Sequence, residues 1–304
     1  MPLISEDKII KTVDGVDTTI QATVLKLTNN NPQAVIGVDP NGNILNPTSS
    51  TIQAVIGVSS ILQNVLISYP TMQLEFYDNF DDGKMHGWHY HNQFSLSGKR
   101  FSPTLSKVSR KGTYSLEMQT PAVNYAQCWA RKSQGGFVIP TNAKKAIFGC
   151  DWAWHGSYQY GGYGFTFNMD TEDNSGNRKW FKVRWVESLD GVSYAMKWQY
   201  DSSGSDTAVW VDIPGAAQTI SWNEPYKQTF SRMYFVIDLL NAKIERLWTD
   251  NNSYNLTGLT IGNGTSLPNY YNTMNNFLYC ENRGTQTAYE NSMYVENPFF
   301  GFVY

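Results

Sequence analysis

All of the chain's aromatic residues, 15 Phe, 19 Tyr and 10 Trp, lie at or after Tyr69, and residues 1–68 also contain no His or Cys. At the whole-chain aromatic fraction of 14%, a segment of that length should hold about ten aromatics. Two building plans therefore share one chain: an aliphatic N-terminal module at residues 1–69 and an aromatic-rich domain at residues 70–304, divided near Tyr69-Pro70. The full 304 residues suffice for a sizeable core. Abundant Gly, Thr, Asn and Tyr, with few helix-like stretches, favours β structure.

The N-terminal module repeats itself. QAVIGV occurs at 33–38 and again at 53–58, with a related TIQATV at 19–24, which reads as a duplicated β unit. Turn residues Asp39-Pro40-Asn41-Gly42-Asn43 and the loop Asn46-Pro47-Thr48-Ser49-Ser50 separate the two copies. Two units are fewer than a self-supporting solenoid needs, and short aliphatic strands bury little area, so the module is marginal alone. It is expected to complete its burial by docking on a partner through Val35, Ile36, Val38, Val55, Ile56 and Val58. The stretch 59–67 reads equally well as a strand or a short helix.

In the aromatic domain, Tyr163, Phe165, Phe167 and Met169 alternate with Gly164, Thr166 and Asn168, which places the first set on one buried face. Asp173-Asn174-Ser175-Gly176-Asn177 supplies a turn, after which Phe181, Val183 and Trp185 alternate in turn, so the two runs predict a hairpin. Tyr194, Met196, Trp198 and Tyr200 continue the pattern. Met233, Phe235, Ile237 and Leu239 predict another strand, reversed at Asn241-Ala242. The apolar end Phe299-Phe300-Gly301-Phe302-Val303-Tyr304 should be tied into a sheet. Strands spaced in this way predict a sandwich or jelly roll.

Several motifs, in order, carry a resemblance: Glu75-Phe76-Tyr77-Asp78-Asn79-Phe80-Asp81-Asp82-Gly83, Gly87-Trp88, Gly112-Thr113-Tyr114-Ser115-Leu116, the hairpin GFTFNMDTEDNSGNRKWFKVRW, KWQY and FVIDLLNAKIERL. Across residues 74–261 the chain resembles an uncharacterised family of concanavalin-like β-sandwich proteins of bacteria and their phages. The resemblance implies an all-β fold, a concanavalin-like jelly-roll sandwich preceded by a small aliphatic β-rich docking module. It implies no reaction and supplies no site residues. The N-terminal segment, with Asn31-Pro32-Gln33-Ala34-Val35 and Val38-Asp39-Pro40-Asn41-Gly42-Asn43, is similar to attachment regions of phage structural proteins. That similarity implies a virion surface protein made in the host cytoplasm, a capsid decoration, head fibre or tail-associated element. Its N-terminus would anchor it to other virion proteins while a homo-oligomer of sandwiches met host surface glycans weakly and by avidity.

Charge narrows the partners. The net charge is −3, and residues 1–68 carry three basic and five acidic side chains, so neither nucleic acid nor an anionic membrane is an expected partner. No apolar run reaches the roughly 18–20 residues of a membrane span, and MPLISEDKII lacks the basic and apolar regions of a secretory signal. Cys128, Cys150 and Cys280 lack metal-ligand spacing and read as buried thiols. No cofactor or metal is expected.

The remaining chemistry is weighed residue by residue. Glu187 and Asp190, three apart, fall on opposite faces of a straight strand, and the E-x-D-x-x-E pattern of laminarinase-like enzymes is absent. No G-x-S-x-G nucleophile occurs either. The chain is therefore expected not to be an enzyme; the alternative is a bacterial carbohydrate-active enzyme or carbohydrate-binding module. Asp170, Glu172 and Asp173 with Asn174 offer calcium oxygens but read better as a solvated hairpin turn. His86, His89 and His91 lack a third zinc ligand at suitable spacing. For glycan binding the candidates are Trp129, Trp152, Trp154, His155, Tyr158 and Tyr160, because sugar rings stack on aromatics while polar neighbours bond their hydroxyls. The same aromatics are also the ordinary filling of a sandwich, and Trp152 and Trp154 share strand parity, so they must be buried or exposed together.

Overall fold

Period-two alternation organises most of the chain into antiparallel strands, with side chains of one parity turned inward and those of the other outward. The computed structural model describes residues 4–13, 16–26, 32–35, 60–91, 93–94, 100–101, 103–109, 113–120, 127–155, 163–172, 178–186, 196–205, 207–218, 230–250, 252–259, 272–282 and 291–304. In the N-terminal module, β1 (Ile4–Val13), β2 (Val16–Lys26) and β3 (Pro32–Val35) form a three-stranded antiparallel sheet. Val13 pairs with Val16, and Thr23 of the TIQATV string pairs with Val35 of the first QAVIGV. Of the six docking candidates, Val35 ends β3; Ile36, Val38, Val55, Ile56 and Val58 lie outside the described residues.

The ambiguous stretch is a helix, α1 (Ser60–Ser68). Ile61, Leu62, Val65 and Leu66 form a stripe at helical spacing and are buried.

Most of the described strands after α1 form an all-β sandwich of two antiparallel sheets. The first strands are β4 (Met72–Tyr77), β5 (Trp88–His91), β6 (Gln93–Phe94), β7 (Arg100–Phe101), β8 (Thr104–Ser106), β9 (Ser115–Thr120) and β10 (Gln127–Val138). β11 (Lys145–His155), β12 (Tyr163–Glu172), β13 (Arg178–Val186), β14 (Lys197–Asp201) and β15 (Trp210–Ala217) follow. The last are β16 (Ser231–Asp238), β17 (Lys243–Thr249), β18 (Asn252–Asn255), β19 (Thr273–Asn282) and β20 (Asn291–Val303). One sheet has seven strands in the order β15-β14-β13-β12-β19-β10-β5. The other has eight, in the order β18-β17-β16-β11-β20-β9-β8, with β4 also paired to β20; β6 and β7 form a separate ribbon.

The predicted hairpins are present. Phe167 lies opposite Val183 in the β12–β13 pair, and Ile237 opposite Ile244 in β16–β17. Asp238 shapes the second reversal, its Oδ1 accepting from the amides of Leu240 and Asn241 at 3.0 Å each. The apolar C-terminus is β20, a central strand between β11 and its neighbours β4 and β9.

The core lies between the sheets and is largely aromatic. Trp152 of β11 meets Phe165, Phe167, Trp185 and Trp198 of the facing sheet, with ring centroids 5.5–5.9 Å apart. Cys128, Cys150 and Cys280 are buried, and Cys128 stands opposite Cys280 in the β10–β19 pair. Burial pushes the Cys128 thiol up to about 12. On the outer face of the eight-stranded sheet, α1 covers Ile147, Tyr234, Val236, Phe299 and Val303. Gly149 permits that closure: a Cβ there would stand 2.6 Å from both Phe299 and Tyr234.

Candidate functional site

Residues between the core positions of a strand must face the other way. In the seven-stranded sheet these are Thr166, Asn168 and Asp170 of β12, Trp180, Lys182 and Arg184 of β13, Asn275, Phe277 and Tyr279 of β19, and Trp129 and Arg131 of β10. The outward face of a sheet in water is ordinarily exposed. Here its centre is not: Thr166 is 2% exposed, and Asn168 and Asp170 are 0% exposed.

Antiparallel register aligns these residues in rows across the sheet. One row runs Trp129, Tyr279, Thr166, Arg184, Gln199 and Asp212. A second runs Arg131, Phe277, Asn168 and Lys182, and a third Asn275, Asp170 and Trp180. At about 4.8 Å per strand, the first row is roughly 24 Å long.

Aromatics hold one end of the face. Trp129 meets Phe277 edge to face at 5.6 Å, Phe277 stacks on Tyr279 at 5.6 Å, and the Arg131 guanidinium lies 5.5 Å above the Phe277 ring. The cations beyond are engaged by neighbours. Arg184 donates from Nε to Gln199 at 2.8 Å and stacks 4.0 Å over Trp210. Lys182 donates to the Ser205 carbonyl at 2.9 Å, lies 3.7 Å from Asp201 and sits 4.7 Å over Trp180. Arg178 pairs with Glu172 at 2.8 Å.

The centre is chemically incomplete. Asp170 accepts at Oδ1 from Asn275 Nδ2 at 2.8 Å. Among the described residues, Asp170 Oδ2, Asn275 Oδ1, Thr166 Oγ1, Arg131 Nε and both amide atoms of Asn168 have no hydrogen-bond partner. Each buried polar group left so costs about 1–3 kcal/mol. Burial raises the Asp170 carboxyl to about 6, against the lowering effects of the Asn275 hydrogen bond and of Arg178. Half a dozen unsatisfied atoms gather around one aspartic acid, beside the half-buried Trp129, Arg131 and Tyr279.

The sequence candidates divide. Trp129 lies on this face. Trp152 and Trp154 are 0% and 3% exposed inside the sandwich, buried together as their parity requires, where no ring face is left for a sugar. His155 ends β11, and Tyr158 and Tyr160 lie outside the described residues. Asp170 is a strand residue rather than part of the expected turn, and Glu172, at the end of β12, is paired to Arg178; Asp173 lies outside the described residues. Glu187 and Asp190 also lie outside them. His86 bonds Asp82 at 3.0 Å, while His89 and His91 sit opposite Arg131 and Trp129 in the β5–β10 pair. Among the described residues, no three His, Cys, Asp or Glu side chains gather to hold a metal. Sequence reading missed Thr166, Asn168, Asn275 and Phe277. The available signal was the polar half of the alternation that identified Phe165 and Phe167.

No protein-family model matches the chain, and no curated protein matches it. Among solved structures, the chain is similar to a mutant of alginate lyase Aly36B in complex with alginate trisaccharide, at 10% identity and a TM-score of 0.45, over 75% of this chain and 98% of that one. It is similar to the Emp47p carbohydrate recognition domain, at 11% identity and 0.43, over 77% and 98%. It is also similar to a Bacteroides ovatus mixed-linkage glucan GH16 protein in complex with its product, at 10% identity and 0.43, over 75% and 99%. With TM-scores below 0.5, these likenesses carry no functional argument.

Proposed function

We propose that the chain is a non-catalytic glycan-binding sandwich, and that the outward face of its seven-stranded sheet is the binding site. The observation that carries this reading is the buried polar centre around Asn168 and Asp170, flanked by the Trp129–Phe277–Tyr279 aromatics. Sugars need that combination: ring faces for stacking and fixed polar groups for hydroxyls. A row roughly 24 Å long suits an oligosaccharide better than a single ring. Glycan-array binding by the wild type, lost in Trp129→Ala and Asn168→Ala variants that still unfold cooperatively, is the expected result. Binding unchanged in both variants would overturn the assignment of the site.

The same reading makes the protein a virion surface element, as a capsid decoration, head fibre or tail-associated protein, with residues 1–59 as its anchor and other virion proteins and a homo-oligomer as its partners. Its support is the aromatic-free N-terminal composition together with the position of α1. The helix lies on the outer face of the eight-stranded sheet, so α1, which begins at Ser60, is on the side away from the proposed glycan face. An anchor there presents the site outward. Among the described residues, no helix is long and apolar enough to cross a membrane.

One observation favours a carbohydrate-active enzyme as the second reading: Asp170 is a buried carboxyl raised to about 6, the condition of a general acid. Release of reducing ends from a glycan panel by the wild type, abolished in Asp170→Asn, would replace the lectin reading with this one.

A further inference from the structure

Strand β10 does not run straight past the polar centre. Its pairing with β19 is regular up to Lys132 opposite Asn276 and resumes at Phe137 opposite Met274, so Ser133, Gln134, Gly135 and Gly136 stand against the single residue Asn275. The surplus backbone bulges on the outward side, against the Asn275 side chain. A Cβ on Gly136 would stand 3.0 Å from Asn275 Oδ1 and 3.1 Å from the Met274 carbonyl oxygen. Asn275 is 4% exposed and its partner Asp170 0% exposed. This short segment is therefore part of what seals the pair from solvent.

Its ends are held and its middle is free. The Ser133 N–H donates to the Gly87 carbonyl at 2.9 Å, and the Phe137 ring packs on Phe76 and Phe300. Ser133 (φ 68°) and Gly136 (φ 72°) are both left-handed, a conformation that costs a serine energy and that clusters at moving parts. Between them Gly135 is exposed, and a methyl added there would meet nothing within 4 Å. A link across the segment, from Ser133 Oγ to the Gly136 carbonyl, is long at 3.3 Å. While the segment is shut, Asn275 Oδ1 and Asp170 Oδ2 have no hydrogen-bond partner among the described residues. Closure thus leaves buried polar atoms unsatisfied, and opening lets water or a ligand reach them.

We propose that Ser133–Gly136 is a strap, hinged at its two left-handed residues, that swings off Asn275 and uncovers the Asn275–Asp170 pair. Its motion is the route by which a ligand reaches this centre; that purpose rests on the glycan-binding reading, whereas the motion itself does not.

The test is hydrogen exchange by NMR on the full chain, comparing protection of the Asn275 side-chain amide, which donates to Asp170, with that of the backbone amides of Phe167 and Phe235 in the core. In the wild type the Asn275 amide is at least tenfold less protected than the core. Gly136→Ala disfavours the shut strap, through its left-handed φ and its contacts with Asn275 and Met274, and speeds exchange at Asn275 at least fivefold with the core unchanged. Gly135→Ala meets no obstacle in the shut state and restricts the open one, so it slows exchange at Asn275 at least twofold. Protection of Asn275 equal to that of the core would overturn the strap, as would a Gly136→Ala variant that loosens both alike. Should Gly136→Ala not fold, the wild type and Gly135→Ala decide the matter. Because no sugar is present in the measurement, its failure is separate from a failure of glycan binding on an array.

Discussion

Asp170 is an ionisable side chain in a place that resists ionisation, and this has a measurable consequence for stability. Its carboxyl rises from 3.8 to about 6 on folding, chiefly through burial, while Asn275, Arg178 and Arg131 oppose the rise and Glu172 adds to it. The folded state therefore holds the proton more tightly than the unfolded chain, so the penalty is complete above about pH 6 and relieved as the pH falls toward 4. Stability measured by denaturant titration should fall by about 2 kcal/mol between pH 4 and pH 6 from this group alone. Asp170→Asn should flatten that part of the profile. Trp152 contributes by packing at the centre of four rings, although its buried indole Nε1 has no hydrogen-bond partner among the described residues. Trp152→Ala should cost about 3–5 kcal/mol in the same measurement and leave the outer face in place.

At the scale of the element, α1 is more than a connection. A helix of nine residues is too short to persist alone, and it owes its existence to the apolar patch of Ile147, Tyr234, Val236 and Phe299 beneath it. The sandwich packing therefore includes α1, from Ile61 to Leu66. Truncation at residue 60 should yield a soluble protein with near wild-type melting. Truncation at residue 70 strips the helix, exposes the patch and should produce aggregation visible by light scattering. Gly149→Ala belongs to the same layer. Its added methyl would meet Phe299, Tyr234 and the Met233 carbonyl at 2.6–2.7 Å, an overpacking that should cost about 1–3 kcal/mol and leave the outer face of the seven-stranded sheet unchanged.

Across the whole molecule, the two outer surfaces have opposite characters. The eight-stranded sheet is apolar under α1, whereas the seven-stranded sheet is polar and aromatic. If residues 1–59 are the anchor, their deletion should abolish incorporation into particles while glycan binding by the released sandwich keeps its single-site affinity. Binding to a multivalent glycan surface should then fall by one to several orders of magnitude as avidity is lost. Incorporation unchanged by the deletion would remove the anchoring role.

The strands and hairpins were readable from the chain alone because alternation and turn chemistry are local: Phe165 to Met169, Phe181 to Trp185 and the Asn241-Ala242 reversal announce themselves within a few residues. The site was not readable in that way. Parity tied Trp152 to Trp154 but could not say that their shared face is the interior, and it marked Thr166 and Asn168 as outward without revealing that outward is also buried here. Asp170 and Asn275 are 105 positions apart and become partners only because β19 inserts between β12 and β10. The amino-acid order by itself determined an antiparallel aromatic sandwich preceded by an aliphatic segment, since period and propensity act over neighbouring residues. Only the tertiary structure decided which polar residues would share a sealed surface, because strand order across a sheet is set by contacts between distant segments.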